Sequence, residues 1–151
     1  MIAAHGPSLV ETLDLVLMAA IGLTSRALST SPARDLTVGQ WRMLTVLDQA
    51  DRGSRLTELA EAIGMSLPSA SRMVSRLATR GLVSSRPDVD DRRAVRIELT
   101  REGRDMVEGV LRRRRTSVDG ALGDIRLSTS FLDELRSVAD ALVRAADGGR
   151  P

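Results

Sequence analysis

The chain has 151 residues, of which 42% are apolar, so it is long enough for one domain with a substantial core and short for two. It contains a single Trp, a single Phe and no Tyr, so its core has to be built from aliphatic side chains, which favours packed helices. The absence of Cys excludes disulfides, thiol redox sensing and thiolate metal sites, and the net charge is only +2.

The N-terminal segment predicts a long helix over about residues 8–28. Ser8 and Glu11 form a capping-box pattern, and the apolar residues that follow recur at helical spacing. The apolar run at residues 15–23 is short and has acidic residues before it, so it predicts neither a signal peptide nor a transmembrane span. We therefore expect a cytoplasmic protein with no membrane partner.

Two further helices are predicted before residue 65. A capping box at residues 37–40 begins a helix that runs to about Asp48. Thr57 is then predicted to cap a two-turn helix, which Gly64 ends.

The next segment changes from helical spacing to period two. A helix opens between Ser66 and Pro68 and runs to Arg80, with Gly81 as its C-cap. Apolar and polar residues then alternate over residues 82–86 and 94–99, on either side of a charged loop. This pattern predicts a β-hairpin.

Two helices complete the chain. Thr100 is predicted to cap a long helix that reaches about Leu122, and a last helix starts near Ser128. Residues 148–151 are expected to form a disordered tail. The fold class that follows is mainly α, with six helices and a small β-hairpin.

The positive charge concentrates in the middle of the chain. Residues 72–115 hold 13 Arg against 7 acidic residues, and residues 62–87 contain no acid at all. The helix in that stretch presents Ser and Arg opposite an apolar face of Ala70, Val74 and Leu77. Two short helices followed by a charged hairpin are typical of a winged helix-turn-helix that binds DNA. A solvated helix surface is the alternative, which the neighbouring helix and hairpin make less favourable.

Four motifs fall within residues 56–103. They read LTELA at 56–60, PSASRMVSRL at 68–77, RGLV at 80–83 and DRRAVRIELTREG at 91–103. Together they resemble the DNA-binding lobe of the multiple-antibiotic-resistance regulator (MarR) family, and the order of the flanking helices extends the resemblance over nearly the whole chain. The resemblance implies a non-enzymatic transcription regulator, a repressor, that binds a pseudo-palindromic operator as a homodimer.

The resemblance also implies which residues contact DNA. The second helix of the motif would enter the major groove and the wing the minor groove. The expected DNA-binding residues are Ser66, Pro68, Ser69, Ser71, Arg72, Ser75, Arg76, Arg92 and Arg93. Asp91 would pair with an Arg and fix the wing loop, the alternative being a solvated turn residue.

The resemblance also implies how the chain divides into functional segments. Residues 1–36 and 100–147 would supply dimerisation helices from both chain ends, and residues 37–99 would form the DNA-binding lobe. Family members bind small aromatic or phenolic acids between the two parts. The candidate effector-pocket residues are Leu13, Leu17, Trp41, Arg42, Met43, Leu44, Arg86 and Met106. Such apolar residues belong to a core more often than to a pocket.

Other chemistries have little support. With no Cys and only His5, we expect neither a metal site nor a cofactor. A hydrolase would need an acid or His beside the serines, and residues 62–87 supply none. A winged-helix dimer that has lost DNA binding remains the alternative function.

The four arginines at residues 112–115 are either solvated and paired with Glu108 or Asp119, or added contacts to the DNA backbone.

Overall fold

The computed structural model of the chain describes residues 8–88 and 94–146. Within these ranges it contains six helices and three strands, so the predicted mainly α class is confirmed. The helices are α1 (Leu9–Ser29), α2 (Val38–Gln49), α3 (Leu56–Ile63), α4 (Leu67–Thr79), α5 (Arg101–Leu122) and α6 (Thr129–Ala146). The strands are β1 (Ser54–Arg55), β2 (Val83–Pro87) and β3 (Val95–Leu99).

Three helix starts follow the predicted capping chemistry. The hydroxyl of Ser8 accepts from the backbone N–H of Glu11, and that of Thr37 accepts from Gln40. Thr100 does the same at α5, where its hydroxyl accepts from the Gly103 N–H over 3.0 Å. Each cap satisfies a backbone donor that the first helical turn leaves without an intrahelical partner. At α1 the reciprocal bond from the Ser8 N–H lowers the pKa of Glu11 below its usual value.

The start of α3 corrects one prediction. Arg55, not Thr57, is the N-cap, and its backbone N–H donates to the Glu58 carboxylate over 2.8 Å. The reason is that residues 54 and 55 are extended and pair with β3 as a strand that the sequence did not predict. The helix can therefore begin immediately after the strand, two residues earlier than expected.

The sheet is antiparallel, with strand order β1-β3-β2. Its inner face carries Val83, Ile97 and Leu99, all buried, and packs into the core. The largest fully buried side chains come from all parts of the helix-turn-helix and from α5: Met43, Leu44, Leu59, Leu77, Leu82, Val107 and Val110. The core is aliphatic apart from Trp41, and it joins α5 to the lobe formed by α2, α3, α4 and the sheet.

The two terminal helices are poorly buried. No side chain of α6 up to Ala145 is buried, although Phe131, Leu132, Leu135 and Leu142 are all apolar. The first four turns of α1 likewise expose large apolar residues. Such faces on a helix that the chain itself does not cover normally mark an interaction surface.

One helix among the described residues, α1, is long and apolar enough to cross a membrane by length and composition. Its 21 residues include Glu11 and Asp14, which bound the shorter apolar run considered above. The core helix of a soluble protein and a signal sequence can have the same length and composition, and α1 lies near the N-terminus and packs against α5. Residues 1–7, 89–93 and 147–151 lie outside the described residues, and with them the predictions for His5 and the tail.

Candidate nucleic-acid interface

The exposed face of α4 carries the predicted hydroxyl and Arg side chains. Ser71, Arg72, Ser75 and Arg76 are exposed, whereas Ala70 and Leu77 on the opposite side are completely buried. Pro68 and Ser66 are exposed at the start of the helix, and Ser69 is half-buried beside them. The sequence-predicted residues of this helix therefore share one end and one face.

Hydrogen bonds within α4 organise this face. Ser66 donates its hydroxyl to Ser69 over 3.0 Å, and Arg72 Nη2 donates to the same Ser69 oxygen over 3.1 Å. Further along, the Ser75 hydroxyl donates to the Ser71 carbonyl oxygen over 3.0 Å. Because no acidic side chain lies on the helix, nothing on it repels a phosphate, and the short hydroxyls allow a close approach of the backbone.

A turn and a side-chain hydrogen bond fix the two ends of α4. Gly64 adopts a left-handed conformation at the end of α3, with φ of 68°, which lets the chain turn sharply towards α4. At the other end of α4, Arg80 Nη1 donates to the Asp35 carbonyl oxygen over 3.1 Å. The exposed face of α4 is thus held relative to both the preceding helix and the loop after α1.

The predicted wing-tip residues cannot be placed. Asp91, Arg92 and Arg93 lie outside the described residues, so their expected roles remain predictions. The described part of the hairpin ends at Asp88, whose backbone N–H donates to the Ala94 carbonyl oxygen over 2.9 Å. This bond closes the base of the loop.

An ionic cluster at that base was missed by the sequence analysis. Asp88 is buried and accepts hydrogen bonds from Arg55 of β1 and Arg96 of β3. The missing information was the register, because Arg55 and Arg96 are paired only through the unpredicted strand β1. The only sequence signal was a single acid at the end of a strand that is otherwise free of acids.

The eight predicted effector-pocket residues do not line one cavity. Leu17, Trp41 and Arg42 meet in a cleft of about 270 Å³ between α1 and α2. Met43 and Leu44 have no exposed surface and belong to the core, and Leu13 is half-buried on α1 away from the cleft lining. The prediction grouped core and cleft residues because both recur at the same helical spacing.

The remaining two residues lie in separate clefts. Met106 lines a cleft of about 440 Å³ between α5 and the loop after α1, with Arg112 and Arg113 at its edge. Arg86 lines a polar cleft of about 400 Å³ beside the sheet, where its Nε lies 3.3 Å from Glu98 Oε2. Only the α1–α2 cleft combines an aromatic wall with a cation among the predicted residues.

Among the four arginines of α5, Arg112 has one of the acidic partners predicted for them. Arg112 forms an ion pair with Glu108 over 2.9 Å, one helical turn away, with both side chains exposed. Such a surface pair contributes little to stability. Arg113 and Arg115 are exposed, and Arg114 is half-buried. Arg114 is thus the least exposed of the four.

Two adjacent helices, an exposed serine and arginine face on the second, and an antiparallel hairpin beside it define the winged helix-turn-helix class of proteins. Comparison with known proteins identifies the family within this class. The model of the MarR family matches residues 36–95. YhbI of Bacillus subtilis, an uncharacterised HTH-type transcriptional regulator, is 32% identical over 114 residues, which cover 76% of this chain and 72% of YhbI. The chain belongs to the MarR family.

Solved structures share the fold at lower identity. CouR from Rhodococcus jostii RHA1, in a crystal structure bound to p-coumaroyl-CoA, superposes with a TM-score of 0.70 at 20% identity and covers 90% of this chain and 92% of its own. A point mutant of MepR from S. aureus, bound to an oligodeoxyribonucleotide, gives 0.63 at 17% identity with 93% and 99% covered. MarR family regulators are soluble, non-enzymatic DNA-binding proteins.

Proposed function

We propose that this protein is a cytoplasmic, sequence-specific repressor that binds a pseudo-palindromic DNA operator as a homodimer. The observation that carries the proposal is the exposed face of α4, where two arginines and two serine hydroxyls lie on an acid-free surface. That combination suits a groove lined by phosphates and base edges. MepR, which has the same fold, is bound to an oligodeoxyribonucleotide.

The start of α4 is the part that reads bases. Ser66, Pro68, Ser69, Ser71 and Arg72 occupy its first two turns, where a recognition helix meets the floor of the major groove. Arg72 has the reach and the forked donors to recognise a guanine. Ser75 and Arg76 lie one turn further on and contact the phosphate backbone.

The wing supplies the second contact. Arg92 or Arg93 enters the minor groove next to the half-site, and Asp91 pairs with an Arg to hold the loop. An Arg in the minor groove responds to groove width, so A·T-rich flanks are favoured. The DNA-binding lobe in this proposal is residues 37–99.

The dimer is formed by helices at both ends of the chain, within residues 1–36 and 100–147. On α6 the apolar residues Phe131, Leu135, Val138 and Leu142 follow the alternating spacing of four and three residues that is typical of helix pairing. An isolated helix with this face is marginal in water, so a partner helix has to cover it. A second copy offers the same face together with the exposed apolar residues of α1.

Selection of bound sequences from a random DNA pool tests this function. A homodimer selects a two-fold site whose half-sites are about one helical turn, roughly 34 Å, apart. Recovery of a single unrepeated half-site would contradict the dimer. Failure to enrich any sequence, with binding that depends only on salt concentration, would contradict sequence-specific readout.

The proposed release mechanism uses the cleft between α1 and α2. Its apolar wall is formed by Leu17 and Trp41, and Arg42 provides a cation at its edge. A small aromatic acid satisfies both features, and CouR, which has the same fold, is bound to p-coumaroyl-CoA. Arg42 Nη2 also donates to the Ala62 carbonyl oxygen in the last turn of α3, over 3.1 Å. A carboxylate that takes over this guanidinium would loosen α3, and with it the helix-turn-helix.

The alternative is a winged-helix dimer that binds a protein instead of DNA. The two exposed arginines on the acid-free face of α4 disfavour it, because they attract a polyanion and nothing on the helix repels one. A gel shift with a random-sequence duplex separates the two at low salt. Absence of any shift would favour the alternative.

A further inference from the structure

Asp88, Arg55 and Arg96 form an ionic cluster at the base of the hairpin loop. Asp88 Oδ2 lies 2.9 Å from Arg55 Nε, 2.8 Å from Arg55 Nη2 and 3.0 Å from Arg96 Nε. The Asp88 side chain is only 1% exposed, whereas those of Arg55 and Arg96 are 39% and 24% exposed. One buried carboxylate therefore holds two guanidinium groups that reach the surface.

The sheet register explains why this carboxylate is needed. Arg55 is the Cα partner of Arg96 across β1 and β3, and Arg86 is the partner of Arg96 across β3 and β2. Directly opposed residues point to the same face of a sheet, and like charges in that arrangement repel. Asp88 lies between the first pair and offsets their repulsion. Arg86 has a separate counter-charge in Glu98.

The cluster also joins the hairpin to the helix-turn-helix. Arg55 is the N-cap of α3, so its backbone starts the first helix of the motif. Arg96 donates through Nη1 to the Gly53 carbonyl oxygen over 3.0 Å, which adds a bond to the turn before β1. Asp88 itself closes the loop base through Ala94. The loop end of the hairpin and the start of α3 therefore share one set of charge-assisted hydrogen bonds.

We propose that Asp88 is a positioning residue for DNA binding, which fixes the direction of the hairpin relative to the helix-turn-helix so that the wing and α4 contact the same duplex. The inference rests on the proposed DNA binding. Asp88 does not touch DNA in this account, because its carboxylate is buried under the two arginines. Its contribution passes through the geometry of the strands that carry the loop.

An electrostatic effect and a positioning effect would change the Kd of Asp88→Asn in opposite directions. The substitution adds one positive charge to the protein, so a purely electrostatic effect would tighten binding to a polyanion. Loss of the hairpin direction should instead raise Kd by roughly tenfold, the scale of one or two lost charge-assisted contacts. It should also reduce the slope of log K against log salt by about 1 to 2, because fewer phosphates are contacted. Equal or tighter binding by the variant would overturn the inference.

Glu98→Gln is the matched control. It makes the same change in charge on the same face of the sheet, but its partner Arg86 is an exposed side chain outside the cluster. We expect its Kd to stay within about twofold of the wild-type value or to fall, as for other surface ion pairs. A tenfold weakening in both variants would point to a general disturbance of the sheet and would overturn the inference.

A second variant and a second readout distinguish the positioning role from a loss of folding. Arg55→Gln removes one arm of the cluster and leaves the Asp88–Arg96 contact, so it should fold and give a smaller rise in Kd than Asp88→Asn. Hydroxyl-radical footprinting of the selected operator should show that Asp88→Asn loses protection at the flanks and keeps it at the centre. Uniform loss of protection would overturn the positioning role. Absence of any operator for the wild-type protein would overturn the proposed function itself, and the inference with it.

Discussion

Thr100 donates its hydroxyl hydrogen to the Gly81 carbonyl oxygen over 2.6 Å, which joins the residue before α5 to the turn that ends α4. The Thr100 N–H donates in turn to the Leu82 carbonyl oxygen over 3.1 Å. Gly103 lies on this contact, and a Cβ atom at its position would collide with the same Leu82 oxygen. The segment from Leu99 to Gly103 is therefore the point at which α5 meets the end of α4.

Gly103→Ala should destabilise the fold. The added methyl meets backbone rather than a flexible side chain, so α5 or the turn at Leu82 has to move, at a cost of about 1–3 kcal/mol in the free energy of unfolding. Denaturant unfolding at fixed protein concentration measures the change. Gly109→Ala is the control on the same helix, because a Cβ there meets nothing within 4 Å. It should stabilise by about 0.5–1 kcal/mol, and equal effects at both positions would contradict the proposed collision.

Arg72→Ala and Arg76→Ala should weaken DNA binding in different ways. Loss of a base contact by Arg72 should cost about 1–3 kcal/mol and relax the preference at one base pair of each half-site. Loss of a phosphate contact by Arg76 should weaken all sequences alike and lower the salt slope by about 1 for each protomer. Binding to the selected operator and to single-base variants, over a range of salt, measures both.

The control for these two variants is Arg34→Ala, which removes the same charge from an exposed position in the loop after α1. Its affinity and its sequence preference should remain close to those of the wild type. If Arg34→Ala weakened binding as much as Arg72→Ala, net charge would explain the result and α4 would lose its assigned role.

Leu135→Asp should disrupt the dimer. Leu135 lies in the centre of the apolar face of α6 and is 42% exposed in the single chain, so a charge there would be buried by the second copy. Light scattering should give the 16.3 kDa mass of one chain instead of twice that value. Ser137→Asp places the same charge on the opposite side of α6 and should leave the mass unchanged. A dimer that tolerates Leu135→Asp would place the interface elsewhere.

Small aromatic carboxylates should bind in the α1–α2 cleft and be detected by fluorescence. Trp41 is the only Trp of the chain and lines this cleft, so its emission reports occupancy. Arg42→Ala should weaken binding of the acid by about tenfold, as expected for one charge-assisted hydrogen bond, and leave binding of the matching amide unchanged. Arg86→Ala is the control, since Arg86 lies in another cleft. An equal loss for acid and amide would exclude Arg42 as the anion contact.

Much of the fold could be predicted because its signals are local. The capping boxes at Ser8 and Thr37, the glycine at Gly64 and the change to period two after Gly81 each depend on residues within a few positions of one another. The same is true of the exposed face of α4, which follows from helical spacing alone. These features place the candidate interface before any tertiary contact is known.

The parts that could not be predicted depend on register between distant segments. Arg55 lies 33 residues before Asp88, and only the pairing of β1 with β3 brings the two together. The grouping of the effector residues depends on packing for a related reason, since helical spacing places Trp41 and Leu44 on one face of α2 and does not show that Trp41 also reaches a cleft. The Arg55–Asp88 contact and the lining of the cleft both depend on which elements pack against each other.

The hydrogen-bonded series Ser66, Ser69 and Arg72 has a consequence for the energetics of recognition. Ser69 already restrains the Arg72 guanidinium in the free protein. Part of the rotamer entropy of this long side chain is therefore lost before DNA binds. Association then costs less entropy, and a base that cannot replace the Ser69 acceptor leaves a guanidinium donor without a partner. Ser69→Ala should therefore loosen discrimination between operators as well as affinity, although the Ser69 side chain is only half-exposed.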